Sequence, residues 1–309
     1  LGLGAGRRVP MPLNLTGIRR LFPAALAARL EDKLVAAYGF EGKAPAAELA
    51  ASGDADLRLL GDFVKRHVIA FYTAKLWGVD SEELAAEALS RTDVRVSLDA
   101  RCFTDRYQGV PLKGYRALFE KMLEHPRINL MLGTSYASIV RRINRRNSEG
   151  RWSNSCIKAD VILHTGAIDE HYEYYHGELP YRSLRFDELE IDRPFFQEAA
   201  VVGYPENYDF TRVCEYKHLL GTASERMVVV YEFPVPYVKG GNERCYPVHT
   251  PASLELYARY REMNTGDNAR RRSLGQPEIH FLGRLGDFRR YGMDEAVLRA
   301  MQAVDEVLA

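Results

Sequence analysis

The sequence lacks an excess of charge of either sign, a long apolar run and any paired cysteine motif. Its 42 basic and 42 acidic residues give a formal net charge of zero, so bulk electrostatics favours neither nucleic acid nor a membrane as partner. No apolar run approaches the roughly 20 residues of a transmembrane helix, and no signal peptide is visible. The four cysteines are scattered without a CxxC pair. Their spacing argues against a zinc site and predicts reduced thiols in a cytoplasmic protein.

The sequence has two regions that differ in the period of their apolar residues. Apolar residues recur every three or four positions over 22–39 and 56–78, and a capping serine opens 81–89, which predicts helices there. Short β-branched runs begin near the middle of the chain and predict strands: INLMLGT, ADVILHTG, AAVVGYP, FTRVCEY and MVVVYEF. A helix over 250–263, capped by a threonine, and a strand over 279–283 complete the pattern.

This order of elements predicts a mixed α/β (α+β) fold. We expect a leader over 1–13, a helical subdomain over 14–92 and a mixed α/β domain over 93–309. The last of these should contain a sheet and a C-terminal helix.

Several segments hold more arginine and tyrosine than a plain core or surface requires. They are the stretches 103–109, 164–186, 204–218 and 244–250. Each one alone has an ordinary structural interpretation, such as an Arg–Asp pair or a Tyr–Pro turn. Together they predict a pocket whose arginines grip a diphosphate bidentately and whose rings stack on a sugar or base.

These segments, in this order, resemble the UDP-galactopyranose mutases, flavoenzymes that interconvert pyranose and furanose forms of a nucleotide sugar. The matching motifs are PMPLNLTGIRRLF, YTAKLWG, FTDRYQGVPLKGYRALFEKML, TGAIDEHYEYYHGELPYRSLRF, TRVCEYKH, CYPV and GRLGDFRRYGMD. The resemblance runs from about residue 9 to the end of the chain. It implies a helical substrate-covering subdomain beside a largely antiparallel sheet.

The resemblance also assigns roles to individual residues. Arg182 and Arg212 correspond to the arginines that clamp the diphosphate, and the remaining predicted substrate-binding residues are Tyr72, Trp77, Tyr107, Tyr174, Glu232, Tyr246 and Arg284. Residue chemistry, apart from the resemblance, adds Arg290 and His171 to Arg182 and Arg212 as the residues predicted to act in catalysis. The arginines would neutralise the leaving diphosphate, and the histidine would serve as acid or base.

The sequence departs from the family pattern where the flavin would bind. The family begins with a strand, a GxGxxG turn and a helix that hold the FAD pyrophosphate, whereas LGLGAG has different spacing and leads into no helix. The family's Tyr-x-Tyr-x-Asp-Met-Asp motif is also altered, because Arg290 and Gly292 replace its second tyrosine and first aspartate. We therefore expect no FAD and no cofactor-binding residues. The helix start after GRLGDFRRYGMD should instead face the substrate's diphosphate.

A third departure concerns the nucleobase. Val68 and Ile69 stand where the family usually has aromatic residues, and Gly203 replaces a polar asparagine. A roomier pocket could admit a purine, so GDP is considered beside UDP.

The leading hypothesis is therefore a flavin-independent mutase that interconverts pyranose and furanose forms of a UDP- or GDP-linked hexose. A divalent cation, Mg²⁺ or Mn²⁺, could assist at the diphosphate, with Asp105, Asp169 and Glu170 as candidate ligands. For each carboxylate the alternative is an ion pair with a neighbouring arginine. Two alternatives for the whole protein remain: a truncated FAD-dependent mutase and a non-catalytic nucleotide-sugar-binding protein. A homo-oligomer is left open.

Overall fold

The computed structural model describes residues 2–3, 7–79, 92–136, 159–221 and 224–308. The helices are α1 (Leu15–Leu21), α2 (Ala24–Tyr38), α3 (Ala46–Ala50), α4 (Ala55–Val64), α5 (Ala74–Trp77), α6 (Gly114–Leu123), α7 (Ile168–His171), α8 (Lys217–Leu220), α9 (Pro251–Ser273), α10 (Gly283–Gly286) and α11 (Met293–Leu308). The strands are β1 (Gly2–Leu3), β2 (Arg7–Arg8), β3 (Lys43–Ala44), β4 (Val94–Arg95), β5 (Val161–His164), β6 (Tyr181–Ile191), β7 (Val201–Gly203), β8 (Arg212–Cys214), β9 (Met227–Pro236), β10 (Tyr246–Pro247) and β11 (Glu278–Phe281).

The helical part is built around an aliphatic core that α1 to α4 share. Their apolar residues recur at helical spacing, so one stripe of each helix is buried, as Leu30, Leu34 and Leu60 are. An added Cβ at Gly61 would lie 2.2 Å from the backbone nitrogen of Ala50, so glycine permits the close approach of α4 to α3. A π-helical segment, Lys65–Thr73, joins α4 to α5 and confirms the predicted helical course of 56–78.

Capping side chains fix where these helices begin. The Asn14 side chain accepts a hydrogen bond from the Gly17 N–H at 2.9 Å at the start of α1, and its amide donates to the Asp99 carbonyl. Thr250 caps α9 in a capping box with Ser253 and confirms that predicted helix start. The helix itself runs ten residues further than the sequence predicted, to Ser273.

The boundaries of the predicted subdomains are not sharp in the structure. β4 pairs with β3, so a strand from the start of the predicted second domain completes the helical part. Val9 and Leu13, from the predicted leader, lie in its core. The division at 13 and 92 stays a prediction. The helix expected over 81–89 lies outside the described residues.

The second part is a mostly antiparallel sheet with strand order β10-β6-β9-β8-β7. β6 and β9 pair antiparallel over their whole length, and α9 packs beside a separate parallel pair formed by β5 and β11. These elements confirm the mixed α/β class. The strand predicted at 128–134 is wrong: this segment is irregular and its large apolar side chains, such as Leu132, are exposed, with no described strand beside it to pair. Within the described part of the chain, no helix is long and apolar enough to cross a membrane.

Candidate functional site

The sheet brings the two predicted clamp arginines onto one face. Arg212 of β8 lies opposite Glu232 of β9, and Tyr246 of β10 lies opposite Arg182 of β6, which in turn pairs with Pro236 of β9. Positions 232 and 236 are an even number of residues apart on one strand, and side chains alternate between faces along a strand. Arg182, Arg212, Glu232 and Tyr246 therefore share one face of the sheet.

The end of the helical part lies across from this face. The buried Trp77 ring of α5 meets the Tyr246 ring edge-on, with 6.3 Å between centroids, and the Arg290 guanidinium lies 5.4 Å from the Trp77 ring centroid. Burial raises the pKa of Tyr72, and the charges that act on its hydroxyl include those of Arg212 and Arg290. Tyr72 therefore stays a neutral phenol, able to donate a hydrogen bond at neutral pH.

Two further arginines from the GRLGDFRRYGMD motif complete the same site. The guanidinium carbons of Arg284 and Arg290 lie 5.2 and 5.1 Å from the centroid of the Tyr246 ring. Arg284 is held in place because it donates to the carbonyls of Cys245 at 3.1 Å and Tyr291 at 2.8 Å. We call the whole set the arginine face: Tyr72, Trp77, Arg182, Arg212, Glu232, Tyr246, Arg284 and Arg290.

The two clamp arginines differ in their electrostatic surroundings. Burial opposes the charge of Arg212, but the carboxylate of Glu232, 2.7 Å from its Nε and Nη2, outweighs that effect and raises the pKa. Burial lowers the pKa of Arg182, whose Nε donates to the Leu76 carbonyl at 3.3 Å. In the described ranges no carboxylate forms an ion pair with Arg182. The face thus presents guanidinium charge to an anionic ligand, which suits a diphosphate.

A second arginine site lies beside this face, and its arginine pairs with a carboxylate of the chain, although Asp169 Oδ1 and Arg244 Nε are buried without a hydrogen-bond partner among the described residues. Arg244 donates to the carboxylate of Glu170 and to the Tyr174 hydroxyl, the latter at 3.1 Å. Asp169 is buried nearby and accepts a hydrogen bond from the Leu179 N–H at 2.9 Å. We call Asp169, Glu170, Tyr174 and Arg244 the closed cluster. Tyr174 was predicted to bind substrate, and its hydroxyl already receives a hydrogen bond from Arg244.

The three predicted metal ligands are not brought together. Asp105 lies in an exposed loop, where Gln108 donates to its backbone carbonyl, whereas Asp169 and Glu170 belong to the closed cluster. Among the residues that the structure describes, no group of three or more His, Cys, Asp or Glu side chains could hold a metal ion. Glu170 forms an ion pair with an arginine, as the alternative to metal binding predicted. Asp169 instead accepts a hydrogen bond from a backbone N–H.

His171 and Tyr107 lie apart from the arginine face. The His171 ring packs against the rings of His164, Tyr172 and Phe281, and burial lowers its pKa to about 4, with His164 as the next cause. The other charged residues that act on it, Arg271 and Asp267, do not belong to the arginine face. Tyr107 is 83% exposed in the loop that follows β4. Their predicted roles in catalysis and substrate binding remain predictions without a contact to the other site residues.

The predicted nucleobase wall is part of the helical core. Val68 and Ile69 are only 2% and 8% exposed and pack with the residues of α1 to α4. Their replacement of aromatic residues therefore says nothing about room for a purine. Gly203 does lie at the site, because it pairs with Arg212 in the register of β7 and β8.

The glycine-rich turn before α11 uses its own carboxylates as anions. The Gly283 N–H donates to the Asp287 carboxylate at 3.0 Å, and the Tyr291 hydroxyl donates to the same oxygen at 2.9 Å. The Gly292 N–H donates to Glu295 at 2.7 Å. The expectation that this helix start faces the substrate's diphosphate stays a prediction.

One residue of the face was missed from sequence. Phe186 lies directly opposite Glu232 in the register of β6 and β9, and its ring is half exposed. The sequence could have indicated this position, because Arg182, Leu184 and Phe186 are two residues apart and so lie on one face of a strand. The motif LPYRSLRF was interpreted for its arginine alone.

The arginine face is the kind of site that a nucleotide-sugar isomerase uses to hold a diphosphate. Comparison with known proteins identifies the family of this chain. The family model described as UDP-galactopyranose mutase matches residues 67–291. The chain belongs to the UDP-galactopyranose mutase family, whose members are mutases, that is, isomerases.

Individual relatives agree with this assignment. The dTDP-fucopyranose mutase of Escherichia coli is 27% identical, over 96% of this chain and 74% of that protein. The UDP-galactopyranose mutase of Mycoplasma pneumoniae is 28% identical, over 96% and 73%. A crystal structure of reduced UDP-galactopyranose mutase aligns with a TM-score of 0.49 at 14% identity, covering 94% of this chain and 73% of that one. The predicted family resemblance is confirmed.

Proposed function

We propose that the protein is a flavin-independent mutase that interconverts the pyranose and furanose forms of a UDP- or GDP-linked hexose. The observation that carries this proposal is the arginine face. Arg182 and Arg212 share one face of the sheet, and Tyr72 and Trp77 lie opposite them on the helical part. Family membership supplies the reaction class, since the named relatives are pyranose mutases.

The absence of flavin is supported by the donor set of the turn before α11. Asp287 and Glu295 accept the N–H groups of Gly283 and Gly292, which a cofactor diphosphate would otherwise need. The replacement of two family motif positions by Arg290 and Gly292 points the same way, because it puts a cation beside Trp77 and Tyr246. A flavin, when present in the family, supplies a nucleophile at the anomeric carbon.

The net reaction exchanges which hydroxyl oxygen closes the sugar ring. The bond between the anomeric carbon and the diphosphate breaks and later reforms, the ring oxygen changes from O5 to O4, and one proton passes from O4 to O5. No oxidant or reductant is consumed. The C1–O5 bond breaks and the C1–O4 bond forms, while the residues of the arginine face stabilise charge on the departing diphosphate and on the anomeric carbon.

Individual residues divide this work. Arg182 and Arg212 neutralise the negative charge that develops on the diphosphate, and the neutral Tyr72 hydroxyl donates to one of its oxygens. Glu232 holds Arg212 in place and keeps its charge. Trp77 and Tyr246 pack over the site and exclude water, which lengthens the life of a cationic sugar centre.

The experiment is an NMR assay of purified protein with UDP- and GDP-linked hexopyranoses. The anomeric proton signals distinguish furanose from pyranose products, and parallel samples contain EDTA, Mg²⁺ or reduced FAD. We expect furanose product from at least one substrate without added flavin. A requirement for reduced FAD would contradict flavin independence. Tight nucleotide-sugar binding without product in any sample would contradict the enzyme and favour the non-catalytic binding protein.

A further inference from the structure

The side chain of Lys75 lies among four backbone carbonyl groups. Its ammonium nitrogen lies 2.8 Å from the Tyr204 carbonyl, 3.1 Å from that of Glu206, 2.8 Å from that of Tyr208 and 2.9 Å from that of Phe210. The four acceptors all come from one short segment, 204–210. A lysine has three N–H donors, so this ammonium is saturated by the backbone of a single loop.

The place of Lys75 links the two walls of the site. It belongs to α5, which carries Trp77 and continues directly from the π-helical segment that carries Tyr72. The loop that it binds runs directly into Thr211 and Arg212. Thr211 then fixes the strand, because its N–H and its hydroxyl both donate to the Glu232 carbonyl, at 2.9 and 3.2 Å.

The Lys75 ammonium stabilises the loop conformation in which four carbonyl groups converge. Four carbonyl dipoles that point at one spot repel each other unless a cation lies between them. In the described residues, the charged partner that acts on Lys75 is the nearby carboxylate of Asp209. Burial lowers the pKa of Lys75 to about 8, and Asp209 opposes that effect. At neutral pH the side chain therefore remains mostly protonated and able to fill the carbonyl ring.

We propose that Lys75 is a positioning residue, which binds the 204–210 loop to the helix that carries Tyr72 and Trp77 and so places Arg212 across the site from them. Its effect on ligand binding rests on the proposed function, whereas its effect on the loop does not. No part of the reaction needs Lys75 to touch the substrate.

The test compares Lys75→Met and Lys75→Ala with the wild-type protein. Hydrogen exchange of peptides that cover Tyr204 and 211–214 reports whether the loop and β8 stay ordered. We expect faster exchange in both variants. We also expect affinity for UDP, GDP and inorganic pyrophosphate to fall about tenfold, because Arg212 loses its fixed position. The control is Lys217→Met, which removes another lysine that donates to backbone carbonyls, those of Pro194 and Ser224.

Chemical rescue separates a specific cation from general loosening. n-Propylammonium replaces the atoms that Lys75→Ala removes, and it should restore slow exchange and affinity, whereas tetramethylammonium, which has no N–H donor, should not. Unchanged exchange at 204–214 in both variants would overturn the proposal. Faster exchange with unchanged affinity for all three anions would overturn the positioning of Arg212.

The proposed function can fail separately. If the wild-type protein binds none of the three anions, the proposed function is wrong, and exchange at Arg212–Cys214 still decides whether Lys75 orders β8. In that case equal exchange rates in wild type and variants overturn the proposal, and faster rates with rescue support it.

Discussion

The arginine face, most of which lies on the sheet, and the closed cluster, which comes from α7 and two loops, place a guanidinium in opposite surroundings. Arg244 forms an ion pair with Glu170, donates to the Tyr174 hydroxyl and lies 4.6 Å from the Tyr237 ring centroid, while its Nε is buried with no hydrogen-bond partner among the described residues. Arg182 has the Leu76 carbonyl, and burial lowers its pKa. A partly buried cation without a described carboxylate partner is costly for a fold on its own. The comparison teaches that the fold supplies a carboxylate to Arg244 and, among the described residues, none to Arg182, whose charge is left for a ligand.

The largest expected effect tests this contrast directly. Arg182→Met should weaken UDP and GDP binding about a hundredfold, roughly 3 kcal/mol, because a charge-assisted bidentate contact is lost. The matched variant Arg244→Met should lower the free energy of unfolding by about 1–2 kcal/mol and leave affinity within about twofold. Isothermal titration calorimetry and urea unfolding measure the two quantities. Equal losses of affinity in both variants would remove the distinction between the two sites.

The second prediction concerns the carboxylate that pairs with the arginine at each site, and its contribution to stability. The Glu232 side chain is 5% exposed and the Glu170 side chain is 58% exposed, although each pairs with one arginine. Removing the negative charge should therefore cost more at the buried site. We expect Glu232→Gln to lower the free energy of unfolding by about 2 kcal/mol and Glu170→Gln by under about 1 kcal/mol. Urea denaturation of both variants checks this order, and the reverse order would mean that burial does not set these pair energies.

The residue types of the arginine face could be predicted from the sequence, but their arrangement could not. The motif match found Arg182 and Arg212, and strand alternation puts both on one face once the register is known. The sequence does not give the register, since it depends on which strands meet across the sheet. The same limit explains why β6 was not recognised as a strand of eleven residues.

The partners of polar groups were the least predictable feature. The four carbonyls around Lys75 are backbone atoms, and every residue has one, so no sequence pattern marks them. Asp287 and Glu295 accept hydrogen bonds from N–H groups that the motif alone predicts to bind a phosphate. Val68 and Ile69 were misplaced because a π-helical segment changes which side of the helix they occupy.

His171 offers a way to sharpen the comparison through pH. α7 carries Glu170 of the closed cluster and, next to it, the half-buried His171, whose pKa falls to about 4 from its usual 6.5. The unfolded chain therefore binds more protons between these values, so stability is complete above about pH 6.5 and is lost as the pH falls toward 4. The loss should reach at most roughly 3 kcal/mol.

The variant His171→Phe should flatten this acid limb and leave nucleotide affinity at pH 7 unchanged. Urea unfolding between pH 7 and pH 4 measures the limb, and wild-type protein is the control. A loss of turnover without any change in the acid limb would instead support the catalytic role predicted from sequence.

The smallest expected effect is at Tyr107, which the family resemblance assigns to substrate binding. Its ring is 83% exposed and contacts the neighbouring Arg106 guanidinium at 5.3 Å, so it shares no contact with the arginine face. Tyr107→Ala should change the free energy of unfolding by less than about 0.5 kcal/mol, as exposed substitutions do. Affinity for UDP and GDP decides the rest. An unchanged affinity limits the site to the arginine face, whereas a tenfold loss would mean that the loop over 103–109 closes onto the ligand when it binds.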